Sequence, residues 1–137
     1  MSTYNTIDLF CGCGGFSYGL EKSGLNIIGS VDFWDRAIES YQKNMPNHKA
    51  LCKDLTKYSP EEFHKEIGLD KSIDIIAGSP PCQAFSMAGK RDKNDPRNSL
   101  FIEYVKYLNY FNPKAFLMEN VIGMLSAKLE NKTRGAA

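Results

Sequence analysis

A cysteine that follows two prolines is the residue in this sequence best suited to covalent chemistry. Cys82 closes the run Pro80-Pro81-Cys82, and the two prolines stiffen the loop that carries the thiol. The thiolate is the attacking form, and nearby positive charge favours it. Lys90 and Arg91 follow shortly afterwards and are candidates for that charge. An isolated cysteine is usually a small buried residue, but this position favours a nucleophile.

A carboxylate and an amide follow an apolar run near the end of the chain. Glu119 and Asn120 come directly after residues 115–118, Ala-Phe-Leu-Met. A carboxyl group that is partly desolvated at such a position has a raised pKa and can act as a general acid. The alternative is structural: Glu119 fixes a loop or caps a helix, and Asn120 is a turn residue.

Three glycines in residues 11–15, Cys-Gly-Cys-Gly-Gly, predict a tight turn where a ligand can approach the backbone closely. Asp32 stands 20 positions after Gly12, the distance at which a carboxylate accepts hydrogen bonds from ribose hydroxyls. The Gly-x-Gly-Gly spacing favours a single nucleoside over a dinucleotide. A turn without any ligand remains the alternative.

The elements that must position these residues alternate between strands and helices. Strands are predicted over 6–10, 26–31, 49–52, 73–77 and 115–118, and helices over 16–23, 35–44, 60–67 and 99–112. This alternation predicts a parallel sheet with helices on both faces. The carboxyl ends of parallel strands share one edge, where ligands bind. The glycine turn, Asp32, Cys82 and Glu119 are therefore expected at that edge.

The last predicted helix and strand carry expectations of their own. The helix is expected to pack through the apolar residues near one of its faces, Leu100, Val105, Leu108 and Phe111. The strand over 115–118 follows the other four and is expected to form an apolar edge of the sheet. An uncovered edge of this kind invites pairing with another segment.

Composition excludes several classes of protein. The chain has 137 residues, 42% of them hydrophobic, and a formal net charge of +1, which indicates one globular domain with any basic surface confined locally. No apolar run approaches the roughly 18 residues of a membrane span, and no secretory signal is recognisable. The four cysteines lack the paired spacing of zinc sites. We therefore expect no metal, and reduced thiols in the cytoplasm.

The motifs around these residues resemble those of the cytosine-5 DNA methyltransferase family. Residues 8–17, DLFCGCGGFS, look like its motif for binding S-adenosylmethionine, and residues 78–86, GSPPCQAFS, look like its catalytic Pro-Cys-Gln motif. Residues 118–121 look like its Glu-Asn-Val motif, and residues 53–55 resemble the motif that contacts adenine. The resemblance spans about residues 5–126. It implies the Rossmann-like fold of S-adenosylmethionine-dependent methyltransferases.

The resemblance implies methyl transfer from S-adenosylmethionine to C5 of cytosine in DNA, with S-adenosylhomocysteine as product. Cys82 would attack C6 of the base, and Glu119 would hydrogen-bond or protonate N3. Pro81 and Gln83 complete the catalytic motif on either side of the cysteine. Chemistry on that carbon requires the base to leave the stack, so a duplex substrate implies base flipping.

The same resemblance implies roles at the cofactor and at the substrate. Asp32 would hold the ribose, Phe33 would pack on the adenine, and Asp54 would accept from its amine. The other cofactor residues implied are Phe10, Cys11, Gly12, Cys13, Gly14, Gly15, Phe16, Leu55 and Pro80. Those implied at the substrate are Ser86, Lys90, Arg91, Arg97, Asn120 and Val121. The family usually carries glutamate where Asp32 stands; the shorter side chain changes reach but keeps the hydrogen-bonding chemistry.

The family's last core strands and its target recognition domain have no counterpart in this sequence. We therefore expect an incomplete fold, with a cofactor-binding and catalytic half-domain over 1–126 and a polar, poorly ordered tail over 127–137. The expected partner, besides DNA, is a second polypeptide that supplies the remaining motifs, as in a split or truncated enzyme.

Three other functions stay open from the sequence. A tRNA cytosine-5 methyltransferase also uses a Pro-Pro-Cys-Gln loop, and nothing in these residues separates DNA from RNA. A non-catalytic module that binds S-adenosylmethionine would need neither Cys82 nor Glu119. A nucleotide-binding oxidoreductase domain fits poorly with the glycine spacing and the Pro-Pro-Cys loop.

Overall fold

The computed structural model describes residues 4–68, 72–81 and 99–121. Within these ranges, the strands are β1 (Asn5–Leu9), β2 (Asn26–Asp32), β3 (Ala50–Cys52), β4 (Ile75–Gly78) and β5 (Ala115–Met118). The helices are α1 (Gly15–Lys22), α2 (Asp35–Asn44), α3 (Pro60–Ile67) and α4 (Ser99–Phe111). The alternation predicted from the sequence is confirmed, and the bounds of α2, α3 and β5 are those expected.

The strands form one sheet in the order β3-β2-β1-β4-β5, and every neighbouring pair is parallel. The central strand β1 pairs with β2 on one side and β4 on the other. Ile7, Leu9, Val31 and Ile76 are fully buried in these strands, as expected where helices cover both faces of a parallel sheet. All five carboxyl ends lie at one edge, which confirms the predicted fold class.

Local sequence signals account for the ends of two helices. Ser59 caps α3 in a reciprocal capping box with Glu62, Pro60 occupies the first turn, and Gly68 ends the helix in a left-handed conformation. At the end of α1, Gly24 adopts a positive φ of 90°, which favours glycine at a helix stop. These ends fix where each helix returns the chain to the sheet.

The predicted packing of α4 is confirmed for Leu108 and Phe111, which are partly buried and pack against the core. Tyr104 and Tyr107, on the same side of the helix, are fully buried. The Tyr104 hydroxyl donates to the carbonyl oxygens of Ile76 and Leu117 at 3.0 and 3.2 Å. Because these carbonyls satisfy the hydroxyl, the ring can be buried.

The described sheet ends at β5, as predicted, and this strand exposes its apolar side chains. Phe116 is 56% and Leu117 is 44% exposed. Successive side chains of a strand point to opposite faces, so both faces of β5 are uncovered among the described residues. Within the described sheet, this strand pairs only with β4.

Candidate functional site

The glycine turn after β1 is held in a strained conformation. Phe10, Gly12 and Gly14 all have positive φ angles, of 59°, 53° and 94°. The turn is closed by a backbone hydrogen bond of 3.0 Å from the Gly14 N–H to the Cys11 carbonyl. The Phe10 conformation is rare outside glycine, and such strain clusters at ligand sites.

Asp32 joins the end of β2 to this turn. One carboxylate oxygen, Oδ2, accepts from the Gly12 N–H at 2.9 Å, and the other, Oδ1, accepts from the Trp34 N–H at 2.9 Å. The side chain is nearly buried. Its two oxygens are therefore held in place before any ligand arrives.

A pocket of about 280 Å³ opens at this edge of the sheet. Its lining residues come from the ends of β1, β2, β3 and β4 and from the start of α4: Phe10, Asp32, Phe33, Lys53, Asp54, Leu55, Thr56, Pro81 and Leu100. Six of them are residues that the sequence assigned to the site. The exposed Phe33 ring, 70% accessible, offers a flat surface on which a base can stack.

Thr56, which sequence analysis missed, organises Asp54. The Thr56 N–H and hydroxyl both donate to Asp54 Oδ1, at 3.0 and 2.7 Å. These bonds, chiefly from the hydroxyl, lower the pKa of Asp54, and Lys57 adds to this effect. An aspartate with a hydroxyl residue two positions later is a known turn signal and could have revealed this contact.

Lys53 belongs to the motif at residues 53–55, but it is a second lining residue to which sequence analysis assigned no role of its own. Its ammonium group lies 3.3 Å from Glu66 Oε2 and 5.1 Å from the centre of the Tyr58 ring. The Tyr58 hydroxyl donates to the same carboxylate at 2.6 Å. Lys53 is therefore tied to α3 and presents its aliphatic stem to the pocket.

Other predicted cofactor residues lie elsewhere. Cys13, Gly14 and Gly15 line a second, more open pocket of about 360 Å³ beside α2. Cys11 is buried against α2, and burial raises the pKa of its thiol well above the usual range. Phe16 packs against the core on the α1 side. The structure thus divides the glycine motif between two pockets and the core.

Beneath the turn lies a buried carboxyl group. Asp8, in β1, is fully buried, and its Oδ2 accepts a hydrogen bond of 2.5 Å from the Ser17 hydroxyl. Its Oδ1 has no hydrogen-bond partner among the described residues. Burial, the largest cause, raises the pKa of Asp8 to about 6. The sequence did not single out this residue.

Hydroxyl groups continue from Ser17 towards the surface. Ser17 lies 3.4 Å from the Ser30 hydroxyl, which lies 2.8 Å from the Tyr41 hydroxyl. Tyr41 in turn lies 3.4 Å from Nδ1 of His48, whose Nε2 lies 3.0 Å from Glu21 Oε1. We call this the buried polar chain.

The residues after β4 and β5 contact one another. The Asn120 side-chain amide donates to the Pro80 carbonyl at 3.1 Å, and Asn120 Oδ1 accepts from the Val121 N–H at 2.7 Å. The Glu119 N–H donates to the Gly78 carbonyl at 3.0 Å. The end of β5 therefore supports the loop that leads to the cysteine.

The remaining predicted site residues lie outside the described residues. They are Cys82, Gln83, Ser86, Lys90, Arg91 and Arg97, and the predicted tail over 127–137 lies outside them too. Pro81, at the pocket, is the last described residue before the cysteine.

The described part of the chain holds neither a cluster of potential metal ligands nor a helix that could span a membrane. No group of three or more potential ligands among histidine, cysteine, aspartate and glutamate could hold a metal ion there. No helix within the same ranges is long and apolar enough to cross a membrane.

Comparison with known proteins gives consistent matches. A family model, C-5 cytosine-specific DNA methylase, matches residues 4–136. The Type II methyltransferase M.DdeI of Desulfomicrobium norvegicum is 44% identical over 130 residues, which cover 93% of this chain and 30% of that protein. M.HgiGI of Herpetosiphon aurantiacus, also a Type II methyltransferase, is 43% identical over 120 residues, 85% of this chain and 89% of its own.

The fold also matches solved structures. A provisionally assigned DNA modification methyltransferase encoded within an E. coli prophage superposes with a TM-score of 0.78 and 32% identity, covering 90% of this chain and 33% of that one. The chain spans roughly a third of the length of the first curated relatives it matches, from 28% to 35%.

Proposed function

The chain belongs to the C-5 cytosine-specific DNA methylase family, and we propose that it forms the cofactor-binding and catalytic-cysteine part of a DNA (cytosine-5) methyltransferase. One observation carries this proposal. The pocket that contains Asp32, Phe33 and Asp54 also contains Pro81, the residue before Cys82. A cofactor held there lies beside the loop that carries the nucleophile.

The methyltransferase family implies S-adenosylmethionine as the methyl donor, and the pocket residues fit an adenosine group. Asp32 and Asp54 offer carboxylate acceptors for ribose hydroxyls and for an exocyclic amine. Phe33 offers an exposed ring for stacking, and Leu55 an apolar wall. When bound, the cofactor supplies an electrophilic methyl group.

The proposed chemistry uses Cys82 and Glu119. The Cys82 thiolate attacks C6 of cytosine, while Glu119 protonates N3 or hydrogen-bonds to it, so that negative charge does not accumulate on the ring. C5 becomes nucleophilic and takes the methyl group. A base then removes the C5 proton, and the sulfur leaves. Pro81 and Gln83, on either side of the cysteine, are assigned to the same catalytic motif.

On the substrate side, we assign Lys90, Arg91 and Arg97 to DNA phosphates, where cations bind independently of sequence. Ser86 and Val121 are assigned to the flipped base. Asn120 has a structural task as well, because its amide already holds the Pro80 carbonyl.

In this proposal, the enzyme is completed by the part of the relatives' length that this chain does not span. That part lies either on the same polypeptide or on a second one. The last strand of the described sheet supports this, since Phe116 and Leu117, on opposite faces of β5, are both exposed. Residues 1–126 then form a half-domain, and residues 127–137 a polar tail. We assign the protein to the cytoplasm, where thiols such as those of Cys11, Cys13 and Cys52 stay free.

Trapping of the base tests the catalytic assignment. DNA that contains 5-fluorocytosine at the target position cannot lose its C5 substituent as a proton, so the covalent adduct persists. We expect a protein–DNA adduct with S-adenosylmethionine when the chain is combined with the remaining family length, and none with Cys82→Ser. Binding of the cofactor without any adduct would indicate a non-catalytic module, and an adduct with tRNA alone an RNA enzyme.

Calorimetry tests the cofactor assignment separately. We expect the chain to bind S-adenosylmethionine and Asp54→Ala to weaken that binding. Glu39→Ala removes a carboxylate whose partner is Lys43 on the exposed face of α2, and it should leave the affinity unchanged. Equal affinity in the wild type and Asp54→Ala would place the cofactor elsewhere.

A further inference from the structure

Asp54 is an exposed carboxylate whose orientation is fixed by its own loop. Its side chain follows β3 and lies largely in solvent, where an aspartate is ordinarily free to change rotamer. Thr56 removes that freedom with two donors to one oxygen, the N–H at 3.0 Å and the hydroxyl at 2.7 Å from Oδ1. Both hydrogen bonds turn the same oxygen towards the loop.

The second oxygen of Asp54 is left for a ligand. Among the described residues, the contact of Oδ2 is with Lys57 Nζ at 3.8 Å, longer than a hydrogen bond. Lys57 is itself highly exposed, so water screens its charge. Asp54 lines the pocket, and its Oδ2 keeps its acceptor capacity available for a ligand.

The loop also keeps this carboxylate ionised. The hydrogen bonds from Thr56 are the largest cause of the lowered pKa of Asp54. An ionised carboxylate only accepts hydrogen bonds. A base that presents an N–H donor to Oδ2 gains a hydrogen bond, whereas a base that presents a carbonyl oxygen or a C–H at that position gains none.

We propose that Thr56 is a positioning residue that gives the pocket its preference for a 6-aminopurine nucleoside, by holding the Asp54 carboxylate with one oxygen in the loop and the other towards the ligand. This inference rests on the proposed cofactor site. The Asp54 side chain loses its conformational freedom before the ligand binds, so binding itself carries a smaller entropy loss. This preorganisation raises affinity without any contact between Thr56 and the base.

Binding of two matched ligands tests the role of Thr56. The first is S-adenosylhomocysteine, and the second is its 6-deamino analogue, which has hydrogen in place of the exocyclic amine. Thr56→Val keeps the shape of the side chain and the backbone donor but removes the hydroxyl. We expect it to weaken S-adenosylhomocysteine about tenfold, the equivalent of one hydrogen bond of ordinary strength, and to leave the analogue unchanged.

Two further variants separate positioning from a general effect on the pocket. Thr56→Ser restores the hydroxyl donor and should restore the affinity for S-adenosylhomocysteine. In an Asp54→Ala background, Thr56→Val should have no effect, because the group that it positions is absent. Thr56 is exposed, so far-UV circular dichroism should match across the set.

The outcomes distinguish the inference from the function on which it rests. An equal loss of both ligands in Thr56→Val, or no loss of either, overturns the role of Thr56 and leaves the cofactor site standing. Failure of the wild-type chain to bind either ligand overturns the proposed cofactor site and the inference with it.

Discussion

The Asp32 carboxylate and the Gly12 N–H lie 2.9 Å apart, joined by a hydrogen bond between positions 20 residues apart in the chain. The same carboxylate accepts from Trp34, so it fixes both the glycine turn and the start of α2. A residue that the sequence assigned to ribose binding thus also shapes the turn beside the pocket.

Asp32→Asn should therefore destabilise the protein even without a ligand. The amide keeps one acceptor but turns an NH₂ group towards a backbone N–H, which loses a charge-assisted bond and leaves a donor unpaired. We expect the free energy of unfolding to fall by about 2 kcal/mol. Urea unfolding at neutral pH measures it, with the exposed Glu39→Gln as control, expected within about 0.5 kcal/mol of the wild type. Equal stability of both variants would contradict a structural role for Asp32.

The buried Asp8 predicts a specific dependence of stability on pH. Its pKa rises from 3.8 in the unfolded chain to about 6 in the folded protein. Between these values the folded state keeps a proton that the unfolded state releases. The contribution of Asp8 is therefore full below pH 3.8 and is lost as the pH rises through about 6.

Comparison with Asp8→Asn isolates this effect, because other titrations cancel in the difference. The free energy of unfolding of the wild type, minus that of the variant, should fall by about 2.5 kcal/mol between pH 4 and 7. Urea titrations at four pH values measure it. A difference that stays constant with pH would show that burial does not raise the pKa of Asp8.

Gly14→Ala should be among the most disruptive small substitutions in the turn. The position has a φ of +94°, and an added Cβ would lie 2.8 Å from a ring carbon of Tyr41 and 3.2 Å from Met45 Sδ. Backbone strain and overpacking together should cost about 2–4 kcal/mol. Gly19→Ala is the matched control, since a Cβ there meets nothing within 4 Å and alanine favours the helix. The change in the free energy of unfolding, measured by chemical denaturation, should be a decrease for Gly14→Ala and an increase for Gly19→Ala.

We expect the isolated chain to self-associate through β5, and Phe116→Lys to reduce that association. The side chain is exposed on an edge strand, and lysine at an edge opposes intermolecular pairing. Sedimentation velocity should show a smaller associated fraction, with stability changed by less than about 0.5 kcal/mol. Tyr18→Lys replaces an equally exposed aromatic residue on α1 and should leave association as it is. Identical behaviour of both variants would mean that β5 does not drive the association.

The order of elements and the edge that holds the site could be predicted because both follow from local patterns. Apolar runs ended by Asp32, Pro80 and Glu119 mark the carboxyl ends of strands, and parallel pairing brings those ends together. The polar residues that meet at this edge of the sheet can therefore be named from the order of the strands along the chain.

Long-range partners decided what could not be predicted. Tyr104 and Tyr107, which the sequence did not mark as buried, are buried in α4 because their hydroxyls reach carbonyl groups 28 and 49 positions away, at Ile76 and Tyr58. No local pattern carries that information. The inward turn of Cys11 likewise depends on its packing against α2, so the glycine motif alone could not show which members face the pocket.

The buried polar chain has a direction, because each of its hydroxyl groups has one hydrogen to give. Ser17 donates to Asp8, so Ser30 must donate to Ser17, and Tyr41 must donate to Ser30. The orientation of each hydroxyl group thus depends on that of its neighbour, starting from the Asp8 carboxyl group. Substitutions along the buried polar chain are therefore coupled. Once one hydroxyl has been removed, removal of the next lowers the free energy of unfolding by less. The effects of the single substitutions thus sum to more than the effect of the combined substitution.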